Sequence, residues 1–413
     1  MGPTEYSIVV SAISYGSIAG SLLSGKAADF FGRKKLMLIV APLAALGWVL
    51  IGLANTIYMV YVGRLICGLA TGFLFAIVPI YTSETCRASL RGRLNSVNSI
   101  SLTLGVLISF LLGGFFDWRL SAYLSIIPGV IFFIGMCFVP ESPYWYLLKN
   151  NEDLALESLQ QLRGPKYDVE MDLKEMVLKL STTGEKHNYR ELIKKRTLIP
   201  LLIALLIQTS QQACGANVVI MYSSKLFQQA ESSIDAQMAT IFTGVAQLIG
   251  IIISLFIVDK YGRRILLSVS VFLTGLMVAL FGGYFIALNS ENPWASWSPL
   301  AIILALLLFY CLGCRSIPWF IMSEIFNTSS RSTATSVCVF YNRMLNLIIG
   351  QVFPYAAGAF GYSEVFIFFG VISIFIAIAI VIFVPETKGK TLEEIQELFE
   401  KQSAKKKKSE EQC

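Results

Sequence analysis

Within the largely apolar stretch LIQTSQQACGANVVIMYS, the polar residues Gln211, Gln212 and Asn217 stand out as a cluster of amides. An amide offers both a donor and an acceptor and carries no charge, so a cluster of them suits a neutral, hydroxyl-rich ligand. On a helix Gln211 to Asn217 spans less than two turns, and Gly215 between them lets the helix break locally. The same amides could instead hold helices together inside a membrane.

A set of charged residues comes twice. DFFGRKK at 29–35 is answered by DKYGRR at 259–264, SETCRASLR at 83–91 by SEIFNTSSR at 323–331, and VPESP at 139–143 by VPETKGK at 384–390. The separations, 230 from Asp29 to Asp259, 240 from Glu84 to Glu324 and 245 from Glu141 to Glu386, are nearly constant, which predicts two related halves. Each set can pair carboxylates with cations: Asp29 with Arg33 and Arg91, Glu84 with Arg33, and Asp259, Glu324, Arg263 and Arg331 in the same way. Exposed pairs are worth ~0–1 kcal/mol, weak enough to break and reform. Alternatively the cations only fix orientation, although that needs no carboxylate at fixed spacing.

The elements that must position these residues follow from composition. Hydrophobic residues make up 55% of the 413 and charged residues 15%, against roughly 45–50% and about 25% in soluble domains. Apolar runs long enough to span a bilayer recur at 6–28, 36–56, 59–81, 94–115, 120–139, 198–222, 237–258, 265–287, 298–321, 334–357 and 363–384. The expected fold class is an all-α polytopic membrane protein with 11 transmembrane helices. Cation-rich loops alternate with nearly bare ones, which predicts an external start and a cytoplasmic C-terminus. Residues 1–139 are read as a five-helix bundle, 140–196 as a cytoplasmic helical loop, 197–384 as a six-helix bundle and 385–413 as a cytoplasmic tail. No nucleophile set, metal cluster or phosphate-cradling loop is found, and GLATGF at 68–73 reads as helix packing. No enzyme activity, cofactor, metal or nucleic acid is therefore expected, and the lone His187 cannot make a metal site by itself. The eight cysteines suggest no disulfide framework.

The chain resembles the sugar-porter branch of the major facilitator superfamily, which includes the facilitative glucose and insect trehalose transporters. The resemblance rests on GKAADFFGRKK, GRLICGLATGF, PIYTSETCRASLRGR, PESP, QQACGANVVIMYS, DKYGRR, IPWFIMSEIF and VPETKGKTLEEI, which run from residue 25 to 395. It implies the major facilitator fold, with two pseudo-symmetric helix bundles. The family has twelve helices; the opening span here corresponds to the second, and the expectation is that a further span once preceded it. The resemblance implies sugar contacts at Gln211, Gln212, Asn217, Gln247, Asn342 and Asn346, and an aromatic floor at Trp319. Ser99 stands where the family often carries Gln. It makes Glu141 and Glu386 acidic partners of the repeated cations, and the charged clusters latches of an inner gate. This sequence departs at Tyr144, where Arg is common, and at Arg315 and Ser316, which replace a small residue and a proline. Arg343 is a second cation at membrane depth.

The implied function is a facilitative carrier moving a neutral sugar, a hexose or trehalose, across the plasma membrane by alternating access. Its partners are the sugar and the lipid bilayer. A transport-dead sugar sensor or inactive truncated isoform, and a proton-coupled symporter, are the alternatives. One expected result follows from the topology. NTS at 327–329 fits a glycosylation sequon, but the charge pattern puts it inside the cell. Asn327 will carry no glycan in an endoglycosidase shift assay; a shift that Asn327→Gln abolishes would reverse the orientation.

Overall fold

The computed structural model describes the chain apart from residues 1–2, 87–90, 165–166, 183–194, 231–233, 288–296, 327–330, 387, 389–393 and 395–413. The side chains of 3–4, 6–7, 91–93, 95–96, 179–182, 195–196, 259, 323–324 and 331–332 also lie outside the described part. His187 and Asn327 therefore fall outside it, as do the side chains of Arg91, Asp259, Glu324 and Arg331.

The described residues form helices and no strand. In chain order these are α1 (Pro3–Phe31), α2 (Arg33–Gly52), α3 (Ile57–Thr85), α4 (Arg91–Phe115), α5 (Trp118–Leu124), α6 (Ile126–Cys137), α7 (Pro143–Leu148), α8 (Glu152–Arg163) and α9 (Glu170–Thr182). There follow α10 (Lys195–Ala213), α11 (Ala216–Gln229), α12 (Ala236–Tyr261), α13 (Arg263–Ala287), α14 (Ser298–Leu312), α15 (Ile317–Ile325), α16 (Arg331–Phe360) and α17 (Tyr362–Phe383). Among the described residues eleven spans are long and apolar enough to cross a membrane, as the apolar runs predict; α5 with α6, α10 with α11 and α14 with α15 each make one broken span. Several outlast their apolar run. The span expected at 198–222 reaches Gln229, because the chain stays helical where its side chains turn polar.

Large apolar side chains point outward along these helices, among them Phe256, Phe375 and Ile382. In water they would be a liability, but lipid is their solvent. The driving force between helices must then come from close packing, and small residues supply it. Gly16 and Gly20 on α1 face Gly68 and Gly72 on α3. A Cβ on Gly16 would stand 2.1 Å from the Leu65 carbonyl oxygen, and one on Gly68 2.2 Å from that of Ile13. The GLATGF stretch is a helix-packing surface, as expected.

The chain divides into two compact units, residues 1–98 with 111–185 and residues 99–110 with 186–413. In the first, Ala28, Leu36, Met37, Val40, Ala70, Ile77 and Met136 form a buried cluster drawn from α1, α2, α3 and α6. In the second, Leu201, Ala204, Met322, Phe326, Ala334 and Cys338 do the same for α10, α15 and α16.

Candidate functional site

The amides lie in the second unit, and two interrupted helices position them. Between α10 and α11, Gly215 takes φ 75°, a left-handed conformation that glycine adopts without strain. The interruption strands carbonyl groups at the end of α10, which lipid cannot satisfy. Asn217 repairs one of them, its Nδ2 donating to the Gln211 carbonyl at 3.3 Å. Between α14 and α15, residues 313–316 form turns, and side chains again take over. Ser254 donates to the Leu312 carbonyl at 2.7 Å, Ser270 donates to that of Phe309 at 2.7 Å and accepts from the Cys314 amide at 2.9 Å, and Gln211 Nε2 donates to the Arg315 carbonyl at 2.8 Å.

The side-chain amides then close on one another. Asn342 Nδ2 donates to Gln208 Oε1 at 2.8 Å and to Gln211 Oε1 at 2.9 Å, and its Oδ1 accepts from Gln212 Nε2 at 3.0 Å. Gln212 Oε1 accepts from Asn217 Nδ2 at 2.9 Å and from Asn346 Nδ2 at 3.1 Å. Tyr310 donates to Asn217 Oδ1 at 3.2 Å. Asn342 and Asn346, four residues apart, share one face of α16 as expected. The expected group of Gln211, Gln212, Asn217, Asn342 and Asn346 is thus one network, with Gln208, Gln211, Gln212 and Asn342 buried. Donors and acceptors are matched within it, so a sugar hydroxyl can replace an amide partner on either side without stranding a buried group.

Three expected contacts fall differently. Gln247, fully buried on α12, accepts from Arg315 Nη1 at 2.8 Å and meets the network only through that residue. Trp319 is half-buried and packs against the apolar cluster around Leu201, Met322 and Phe326. That cluster adjoins the amides at Met322, whose sulfur accepts from Gln208 at 3.1 Å. Ser99 is half-buried on α4, within the stretch grouped with the second unit. Two members were missed. Gln208 sits one turn before Gln211 and Gln212, a spacing that marks it as their neighbour. Tyr310 leaves no such signal, since an aromatic in an apolar run reads as core.

In the charged cluster of the first unit the Arg33–Glu84 pair is buried, whereas Asp29 is 58% exposed. Arg33 has 6% of its side chain exposed and Glu84 has 11%. The guanidinium grips Glu84 with two bonds of 3.1 Å, Nε to one oxygen and Nη2 to the other, and pairs with Asp29 one turn earlier at 3.3 Å. Ser142 also donates to Glu84. The estimate for exposed pairs is accordingly too small here. Buried bidentate pairs are rigid, because losing either partner leaves the other desolvated.

Glu141 does something the spacing did not suggest. Its Oε1 accepts from the backbone N–H groups of Arg33 and Lys34, each at 2.9 Å. It caps α2, placing an anion on unsatisfied donors at the positive end of the helix. Glu386 repeats this on α13, accepting from the amides of Arg263 at 2.9 Å and Arg264 at 3.1 Å. The reason for glycine in both motifs follows. Gly32 has φ 93° and ψ 162°, Gly262 has φ 90° and ψ 158°, a region that is essentially glycine-only. A Cβ would stand 2.4 Å from Glu141 Oε2 at the first and 2.8 Å from Glu386 Oε2 at the second. Outside the spans, burial and then the Glu141 and Glu157 carboxylates raise the Tyr146 phenol above its ordinary value. The side chains of Arg91, Asp259, Glu324 and Arg331, the remaining expected members, lie outside the described part.

Comparison with known proteins places this geometry. Residues 3–399 match the family model described as sugar (and other) transporter. The Arabidopsis thaliana protein named Sugar transporter ERD6-like 6 is 32% identical over 408 residues, covering 96% of this chain and 82% of the relative. The Anopheles gambiae Facilitated trehalose transporter Tret1 is 34% identical over 385 residues, 92% of this chain but 48% of its own length. Among solved structures, the major facilitator superfamily proton:xylose symporter XylE bound to 6-bromo-6-deoxy-D-glucose superposes with TM-score 0.76 at 23% identity, covering 96% of this chain and 89% of that one; XylE is from E. coli. The architecture is the major facilitator fold, and these relatives are transporters, not enzymes.

Proposed function

We infer the function from the premise that this chain belongs to the sugar transporter family. It is a multi-pass membrane carrier of sugar. The finer reading is a neutral hexose or trehalose moved by alternating access without proton coupling, in the plasma membrane, with the C-terminus in the cytoplasm. The observation that carries it is the closed amide network across the Gly215 break: it is uncharged, matched in donors and acceptors, and built from helices that are already interrupted. A sugar exchanging amide–amide bonds for amide–hydroxyl bonds gains little per bond, which favours weak binding and ready release.

Asp29, Arg33, Glu84, Arg91 and Glu141, with Asp259, Arg263, Glu324, Arg331 and Glu386, act on this reading as twin gating clusters at the cytoplasmic ends of the two bundles, 1–139 and 197–384. What supports this is the repetition, down to a capping carboxylate on a glycine turn in each. Purified protein in liposomes will take up labelled glucose or trehalose until inside and outside concentrations are equal, with or without an inward proton gradient. Accumulation above the outside concentration under the gradient would replace facilitation by symport. Saturable binding without uptake would make the protein a sensor.

A further inference from the structure

Arg315, like Arg343, is left unexplained by the function. It lies in the break between α14 and α15, inside the span Ser298–Met322, where an ionised side chain is costly and marks a functional position. Among the described residues no carboxylate forms an ion pair with it. It donates from Nη1 to Gln247 Oε1 at 2.8 Å and also bonds the Cys311 sulfur, a weak acceptor. That choice has a consequence. A guanidinium only donates, so the amide must turn its oxygen toward Arg315. Its NH2 group is left to point elsewhere, and Gln247 Nε2 is buried with no hydrogen-bond partner. The Ser316 hydroxyl, 4% exposed at the same break, has none either.

The two parts of the site therefore differ in chemistry. The amide network has its donors and acceptors matched. The Arg315 end carries donors that lack an acceptor: a cation bonded to Gln247 and the unpartnered NH2 of that same amide, with the unpartnered Ser316 hydroxyl, able to donate or accept, next to Arg315 in the chain. The two ends meet at the main chain of Arg315, whose carbonyl accepts from Gln211, a member of the network, at 2.8 Å.

We propose that this site takes a sugar bearing one carboxylate, with the hydroxyl groups on the amide network and the carboxylate on Arg315 and Gln247 Nε2. A carboxylate supplies what is missing, a single negative charge and acceptor lone pairs for several donors. It matches the one charge of Arg315, whereas a dianionic phosphate ester would bring an uncompensated charge into the span. The proposal rests on the sugar-carrier reading alone and replaces its neutral substrate by a monoanionic one; Arg315 is then a specificity-determining residue.

The test is competition in liposomes holding the full chain, with D-glucuronate and D-glucose as probes, since they share a ring and differ at C6. Glucuronate will bind at least about ten-fold more tightly than glucose, the lower end expected for a hydrogen bond to a charged group. In Arg315→Gln the ratio of the two affinities will fall at least about ten-fold, and Arg315→Lys will recover part of it, because the charge returns without the fork. Equal affinities in the parent protein, or a ratio unmoved by Arg315→Gln, would overturn the proposal while leaving the carrier reading intact. If neither probe binds a folded protein, nor labelled trehalose, both readings fall together.

Discussion

Arg33→Met will destabilise the protein by about 3–5 kcal/mol, the range for removing one partner of a buried ion pair. The cause is the carboxylate left behind. Glu84 is 11% exposed and receives two of its bonds from Arg33; afterwards it keeps Ser142 but faces no cation beyond it that the structure describes. The expectation is sharpened by a second change. Adding Glu84→Gln removes the stranded charge and preserves an acceptor for Ser142, so the double variant will regain more than half of the loss. Thermal unfolding in detergent, followed by size exclusion, measures both. A loss below about 1 kcal/mol for the single variant would mean the pair behaves as a surface bridge, and additive losses would mean the carboxylate was never the source.

Asn342→Leu will weaken sugar binding about 30- to 1,000-fold, equivalent to ~2–4 kcal/mol for two to three buried hydrogen bonds. Leucine nearly keeps the volume but leaves Gln208 Oε1, Gln211 Oε1 and Gln212 Nε2 each short of a partner. Asn346→Ala will be milder, because it takes one bond from Gln212 Oε1 and the Asn217 bond remains. Equilibrium binding of labelled sugar to protein that still elutes as a single folded species reads the effect. Unchanged affinity in Asn342→Leu would make the amides helix glue and move the sugar elsewhere.

The spans were legible because lipid admits few solutions: apolar runs of about twenty residues become helices. The Gly215 break was legible too, since glycine beside amides in an apolar run has little other use. What the sequence hides is any partner that is backbone. Glu141 reads as the mate of a neighbouring cation, yet its oxygens sit on main-chain N–H groups, which are the same at every position and leave no mark. Burial is hidden in a similar way. The spacing of Asp29, Arg33 and Glu84 announces pairing but not that Arg33 lies out of contact with solvent. Trp319 is expected under a ligand from the resemblance, and its apolar neighbours hold the ring in place without deciding that role.

The capping carboxylates also impose an order on synthesis. Glu141 follows directly on α6, which ends at Cys137, and Glu386 follows on α17, which ends at Phe383. Each is the residue that completes the start of a helix made more than a hundred residues earlier. At the ribosome's pace of about 5–20 residues per second, α2 waits roughly 5–20 s with its first N–H groups unsatisfied by protein. The nascent bundle therefore stays open at that corner until its final span has emerged, and the acid that closes it arrives as its last stitch. Assembly of each half is timed by its own ending, and the first can set before the second has been translated.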